Sequence, residues 1–131
     1  MPHVQHPDSR PPSGVVRACR VVGVYDGDTL TVELITRARI RMVGCWAPEV
    51  RTKDKDEKKR GLAARDYLRE LALDKEGEVF IPLRGVDRLD DVLSMGRVTA
   101  VVYIGDSEKS LSELMVEAGH ASTQKDGEPG T

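Results

Sequence analysis

Two short stretches carry side chains that could do chemistry together. Asp26-Gly27-Asp28-Thr29 puts two carboxylates at i and i+2 around a turn, and hard oxygen ligands gathered at a strand end suit calcium. Arg41-Met42-Val43-Gly44-Cys45-Trp46-Ala47-Pro48-Glu49 opens with a strand-borne arginine and leaves through Ala-Pro-Glu. A Gly96-Arg97 pair opens the last expected strand. Each piece alone is common: most Asp-Gly turns bind no metal, and an arginine on a strand face is ordinarily solvated or ion-paired. Their joint order is what points to a site.

Those residues need a scaffold, and the alternation of side chains supplies one. Residues 15–25 are rich in β-branched side chains and read as a strand, with Gly23 marking a bulge. Asp26-Gly27 is a hairpin signal, on the expectation that Gly supplies a positive φ. From Thr29 to Ile35, Leu30, Val32 and Leu34 share one face. In 37–45, Ala38, Ile40 and Met42 oppose Arg37, Arg39 and Arg41, and Pro48 ends the run. Ala64, Tyr67, Leu68 and Leu71 then recur with helical spacing in a helix at about 57–74, with Gly77 as its stop. Val79, Ile81 and Leu83 mark a fourth strand. A polar loop spans 84–96, and a fifth strand runs from Arg97 to Ile104 with Val98, Ala100, Val102 and Ile104 on one face. Ser110-Leu-Ser-Glu113 matches a capping box opening a short helix, with Leu111, Leu114, Met115 and Ala118 inward and Gly119 at its end. The fold class is therefore α+β, mainly β: a five-stranded OB-fold barrel with a helix between strands 3 and 4 and a short C-terminal helix.

The chain has 131 residues, which fits one domain. Residues 1–14, with four prolines, read as a disordered arm, 15–123 as the domain, and 124–131 as a disordered tail. A net charge of −2 and a pI of 5.9 argue against non-specific coating of nucleic acid, so such a role must come from a local constellation. One candidate is 51–60, with six basic and three acidic side chains including Lys53 and Lys55. It reads either as a solvated loop entering the helix or as a phosphate-facing segment. Cys19 and Cys45 are too few for a disulfide framework and read as buried free thiols. No signal peptide or membrane-spanning stretch is evident, so a cytoplasmic monomer without membrane contact is expected.

Asp26 to Thr29, Arg41 through Ala47-Pro48-Glu49, the helix, Gly96-Arg97 and the closing Leu-x-x-Leu-Met-x-x-Ala-Gly segment together resemble the staphylococcal nuclease-like, or thermonuclease-like, domain family over roughly residues 15–121. The resemblance implies a calcium-dependent phosphodiesterase of endonuclease type, acting on DNA or RNA that is single-stranded or flexible. It implies Asp28 as metal ligand with Asp26 behind it, the backbone carbonyl of Ala47 as a main-chain ligand, Glu49 as general base, and Arg41 and Arg97 as the phosphate clamp. The sequence departs from the family pattern at Trp46, which stands where a second metal-ligating aspartate is expected and donates no oxygen. It departs again at Met95, where a tyrosine is usual. Two readings follow: a nuclease weakened in its metal site, or a non-catalytic OB module in which Trp46 offers a base a stacking surface. Trp46 as plain core packing is the third possibility for that side chain.

Overall fold

A computed structural model describes residues 14–34, 37–83, 88, 92–93 and 98–124. The expected N-terminal arm, except Gly14, which opens the first strand, and most of the C-terminal tail lie outside those residues, as do Met95, Gly96 and Arg97. Five strands close into a barrel: β1 (Gly14–Asp26), β2 (Thr29–Glu33), β3 (Arg37–Met42), β4 (Glu76–Pro82) and β5 (Val98–Ile104). Helix α1 (Lys55–Ala72) links β3 to β4, and α2 (Leu111–Glu117) follows β5. Around the barrel the order is β1-β2-β3-β5-β4, with β3 and β5 parallel and the other adjacent pairs antiparallel. This is the expected OB arrangement. No helix among the described residues is long and apolar enough to cross a membrane.

Alternation decides which faces close the core. Leu30, Val32, Ala38, Ile40, Met42, Val79, Ile81, Val98, Ala100 and Val102 fill the barrel, and Ala64, Leu68 and Ala72 cap it from α1. Upper β5 departs from simple alternation, because Val101 and Tyr103 join Phe80 in a second buried cluster on the opposite face, with Val16 packed against it. Gly23 does sit at a bulge, and a second register shift falls between Val24 and Asp26.

Three local expectations need correction. β3 ends at Met42, because Gly44 turns the chain with φ of 68°, so 43–45 are not part of the strand. Gly77 does not stop α1. The helix ends at Ala72, capped by Leu73, whose N–H reaches the Arg69 carbonyl, and Asp74 takes the left-handed conformation with φ of 63°. Gly77 lies inside β4, where a Cβ would come within 2.0 Å of the Tyr103 carbonyl oxygen. Ala118, expected inward, is exposed because α2 has already ended at Glu117. The α2 capping box is present, with Ser110 Oγ accepting from the Glu113 N–H and Glu113 Oε1 from the Ser110 N–H. At the other end Gly119, with φ of 80°, and the N–H groups of Gly119 and His120 complete a Schellman closure.

Candidate functional site

The two chemically loaded stretches meet where the β1–β2 turn, the end of β3 and the N-terminal half of α1 converge. Gly27 lets them meet. It does not use a positive φ; rather, a Cβ there would fall 2.6 Å from Ala64 Cβ and 2.9 Å from Ala47 Cβ. Gly61 does the same on the helix side, where a Cβ would lie 2.6 Å from the Glu49 carbonyl oxygen. The turn and the Ala-Pro-Glu exit are thus pressed against α1 at two points where no side chain fits.

Asp28 is buried, and both its carboxylate oxygens are engaged by the protein. Thr29 Oγ1 donates to Oδ1 at 2.9 Å, and the Ala47 N–H donates to Oδ2 at 2.9 Å. Arg41 Nη1 lies 3.3 Å from Oδ2 in an ion pair whose side chains are only 14% and 10% exposed. The same Nη1 donates to the Cys45 carbonyl at 2.8 Å, with a long contact of 3.5 Å to the Asp28 carbonyl. All the hydrogen bonds of Arg41 to described residues use Nη1, so the guanidinium is held by one edge.

Trp46 covers that guanidinium, with Arg41 Cζ 4.0 Å from the ring centroid. The side chain is 38% exposed, which excludes plain core packing. Its backbone is pinned in both directions, N–H to the Ser122 carbonyl at 2.8 Å and carbonyl to the Ser122 N–H at 3.0 Å. Beyond it, Trp46, Pro48, Arg60, Ala63 and His120 line an open cleft of about 330 Å³.

Asp26 accepts the Val50 N–H at 3.2 Å through Oδ1. Its carboxyl is nevertheless held above the ordinary value, chiefly by desolvation and then by the charges of Asp28 and Glu49, with Val50 and Arg65 pulling the other way. The folded state therefore binds a proton more tightly than the unfolded chain does. The resulting stability is present in acid and is lost as pH rises from 3.8 through the folded pKa. Asp26→Asn, which keeps an oxygen for Val50, should be the more stable form at neutral pH, with the gap closing toward pH 3. Urea titrations at several pH values check this; a gap that widens in acid contradicts it.

Glu49 is exposed, and its backbone N–H approaches Glu57 Oε2 at 3.5 Å. Lys53 and Lys55 are exposed too, the second on the first turn of α1. Glu57 and Arg65 join the site without having stood out in the sequence. Glu57 Oε1 accepts from Thr52 Oγ1 at 2.8 Å and so braces the chain leaving Glu49, while Arg65 brings a positive charge toward Asp26. A signal for them exists: 57, 61, 64, 65 and 68 fall on one helical face, but the first lies inside a charge run.

The donor set does not fit a resident calcium ion, which takes six to eight oxygens. Both Asp28 oxygens already accept protein hydrogens, Trp46 offers none, and no group of three His, Cys, Asp or Glu side chains among the described residues is placed to hold a metal. Cys45 is no substitute. Burial, and then the Asp28 charge, push its thiol up to about 12, and its Sγ points at the Gly27 carbonyl at 3.6 Å. Cys19 is likewise buried, free and pushed up to about 12.

Residues 39–130 match the family model described as staphylococcal nuclease homologue. The match begins within β3, so the Asp26–Thr29 turn is tied to it by the barrel and the Asp28–Arg41 pair rather than by the match itself. None of the curated proteins matches the chain. With most of its length matched, and folded as a closed five-stranded barrel, the chain belongs to the staphylococcal nuclease family.

Proposed function

We propose that this domain binds single-stranded or flexible DNA or RNA through the phosphodiester backbone, and that calcium-dependent hydrolysis is impaired or absent in it. The observation that carries the reading is the Trp46–Arg41–Asp28 arrangement. One guanidinium edge is fixed on Asp28 and the Cys45 carbonyl, leaving Nε and Nη2 as donors for a phosphate. Trp46 takes the place of an oxygen ligand and presents a ring beside that phosphate contact. Lys53 and Lys55 add positive charge near the same exit, and Arg97, outside the described residues, is the second arginine of the clamp.

A second reading is favoured by a separate observation. Besides the burial that chiefly raises the Asp26 carboxyl, Asp28 and Glu49 lie close enough for their charges to add to that effect, and excess negative charge of this kind attracts a divalent cation supplied with substrate. In that reading the protein is a weak divalent-metal phosphodiesterase. Glu49 holds the attacking water and takes its proton, while Arg41 and Arg97 stabilise charge growing on the phosphate.

Heat-denatured DNA separates the two. The binding reading expects a complex that survives chelator, no cleavage with added calcium, and a loss of affinity of roughly 10- to 100-fold in Arg41→Ala, the worth of a charge-assisted contact. Trp46→Ala, which leaves the Asp28–Arg41 pair in place, should also weaken binding. Cleavage that disappears in chelator and in Glu49→Ala would replace this reading with the second. Absence of both binding and cleavage overturns both.

A further inference from the structure

We infer that the cleft across the outer face of β1, β4 and the end of β5 is a binding site for an aliphatic polyamine, with Glu78 as its buried anchor. The site goes beyond the phosphate contacts and uses none of their residues. Asp28 adjoins Thr29, where β2 starts, whereas the cleft begins at Glu33, where β2 ends.

The sheet register builds the cleft. Val79 and Ile81 point into the barrel, so Glu76, Glu78 and Phe80 take the other face of β4. Arg20 of β1 is paired with Glu33 of β2 on one side and with Glu76 of β4 on the other. The Gly105 N–H donates to the Glu76 carbonyl at 3.0 Å, which brings Asp106 to the end of the same row. Glu78 lies one row along, between Ala18 and Tyr103. These side chains border one open cleft of about 550 Å³, with small residues such as Ala18 and Gly77 between them.

Glu78 points to a ligand. It is 6% exposed, and its Oε1 has no hydrogen-bond partner. A carboxylate buried this deeply is ordinarily paired, because an uncompensated buried charge is costly. Its charge also reaches Cys19 in the cleft wall, whose thiol is pushed up to about 12 by burial first and by Glu78 second. That thiol stays protonated and is no counter-ion.

Charge and spacing select the occupant. Four carboxylates, those of Glu33, Glu76, Glu78 and Asp106, face two guanidinium groups. These are Arg20 and Arg37, the second in an exposed 3.3 Å pair with Glu33. Lys75, next to Glu76 in sequence, donates instead to the Glu70 carbonyl at 3.1 Å. The balance is negative, so the ligand is a cation. A metal ion needs oxygens converging within about 2.0–2.6 Å, and no three such side chains among the described residues are placed to hold one. The acids are spread instead. At ~4.8 Å per strand, Glu33 and Glu76 start ~9.6 Å apart, and a repeat of ~6.6 Å along β4 separates Glu76 from Glu78. Ammonium groups spaced along a slender chain meet several such carboxylates at once, with their methylenes lying over Ala18 and Gly77.

Calorimetric titration of the full chain with spermidine, butylamine and magnesium chloride, at neutral pH and equal ionic strength, tests the site. Spermidine should bind at least tenfold more tightly than the other two. Glu78→Gln should weaken it roughly 10- to 100-fold, the worth of a hydrogen bond to a charged group. Glu76→Gln with Asp106→Asn, both exposed, should weaken it about two- to fivefold, as exposed pairs do. Asp56→Asn, which removes the same charge from the first turn of α1, should change nothing. A melting temperature at or above that of wild type verifies the fold of Glu78→Gln. Magnesium binding as tightly as spermidine, or Asp56→Asn weakening spermidine as much as Glu78→Gln does, would reduce the cleft to a diffuse acidic field and overturn the site. Unchanged spermidine affinity in Glu78→Gln or in the double variant overturns it as well, and so does a wild type that binds no spermidine. The phosphodiester reading, tested with DNA, stands or falls separately.

Discussion

Asp28→Ala should cost this domain about 3–5 kcal/mol of stability, the usual penalty for removing one partner of a buried ion pair. A surface pair would cost less than about 1 kcal/mol, because solvent screens it. Burial decides between the two: the Arg41 and Asp28 side chains are 14% and 10% exposed. The substitution leaves the guanidinium without its anion, and it also strips the Ala47 N–H and the Thr29 hydroxyl of their acceptors. Against a total of about 5–15 kcal/mol for a domain of this size, the loss is severe. Asp28→Asn should cost less, since an amide oxygen can still accept from Ala47. Urea unfolding of both variants, completed by Arg41→Ala and the double mutant, gives the coupling. If Asp28→Ala loses less than about 1 kcal/mol, the pair is effectively solvated and the site is not pre-organised as described.

That pair also shows what is legible in the sequence and what is not. The barrel is readable because period-2 alternation is a local property: Ala38, Ile40 and Met42 against three arginines can form only one kind of strand. The Ser110–Glu113 capping box and the face of α1 with Ala64 and Leu68 are readable for the same reason. Gly27 misleads, because its need for no side chain arises from Ala64 and Ala47, which only the folded chain brings near. At the site, the sequence shows that Trp46 brings no oxygen. It does not show that both Asp28 oxygens are occupied, nor that the ring settles on Arg41.

Trp46→Asp should turn calcium from an indifferent solute into a stabilising ligand. The backbone at 46 is fixed by its two hydrogen bonds to Ser122, so the new carboxylate enters from a position the substitution does not move. Removing the ring forfeits its contact with Arg41, worth roughly 0.5–2 kcal/mol. It also adds a fourth acid to a neighbourhood where burial, and then the charges of Asp28 and Glu49, already hold the Asp26 carboxyl up. In chelator the variant should therefore melt below wild type. Calcium should reverse that, because ligand charge count sets its affinity over orders of magnitude. At one hundred times its dissociation constant it returns about 2.7 kcal/mol. The response should be present at neutral pH and fade in acid, where carboxylates are protonated and no longer bind a cation. The competing outcome is that Asp at 46 simply pairs with Arg41, which would change stability equally with and without calcium. That result, or a melting temperature that ignores calcium, would mean that Trp46 is not what separates this site from a metal-binding one. A calcium-dependent gain in stability accompanied by cleavage that Glu49→Ala abolishes would place the loss of hydrolysis at this single side chain.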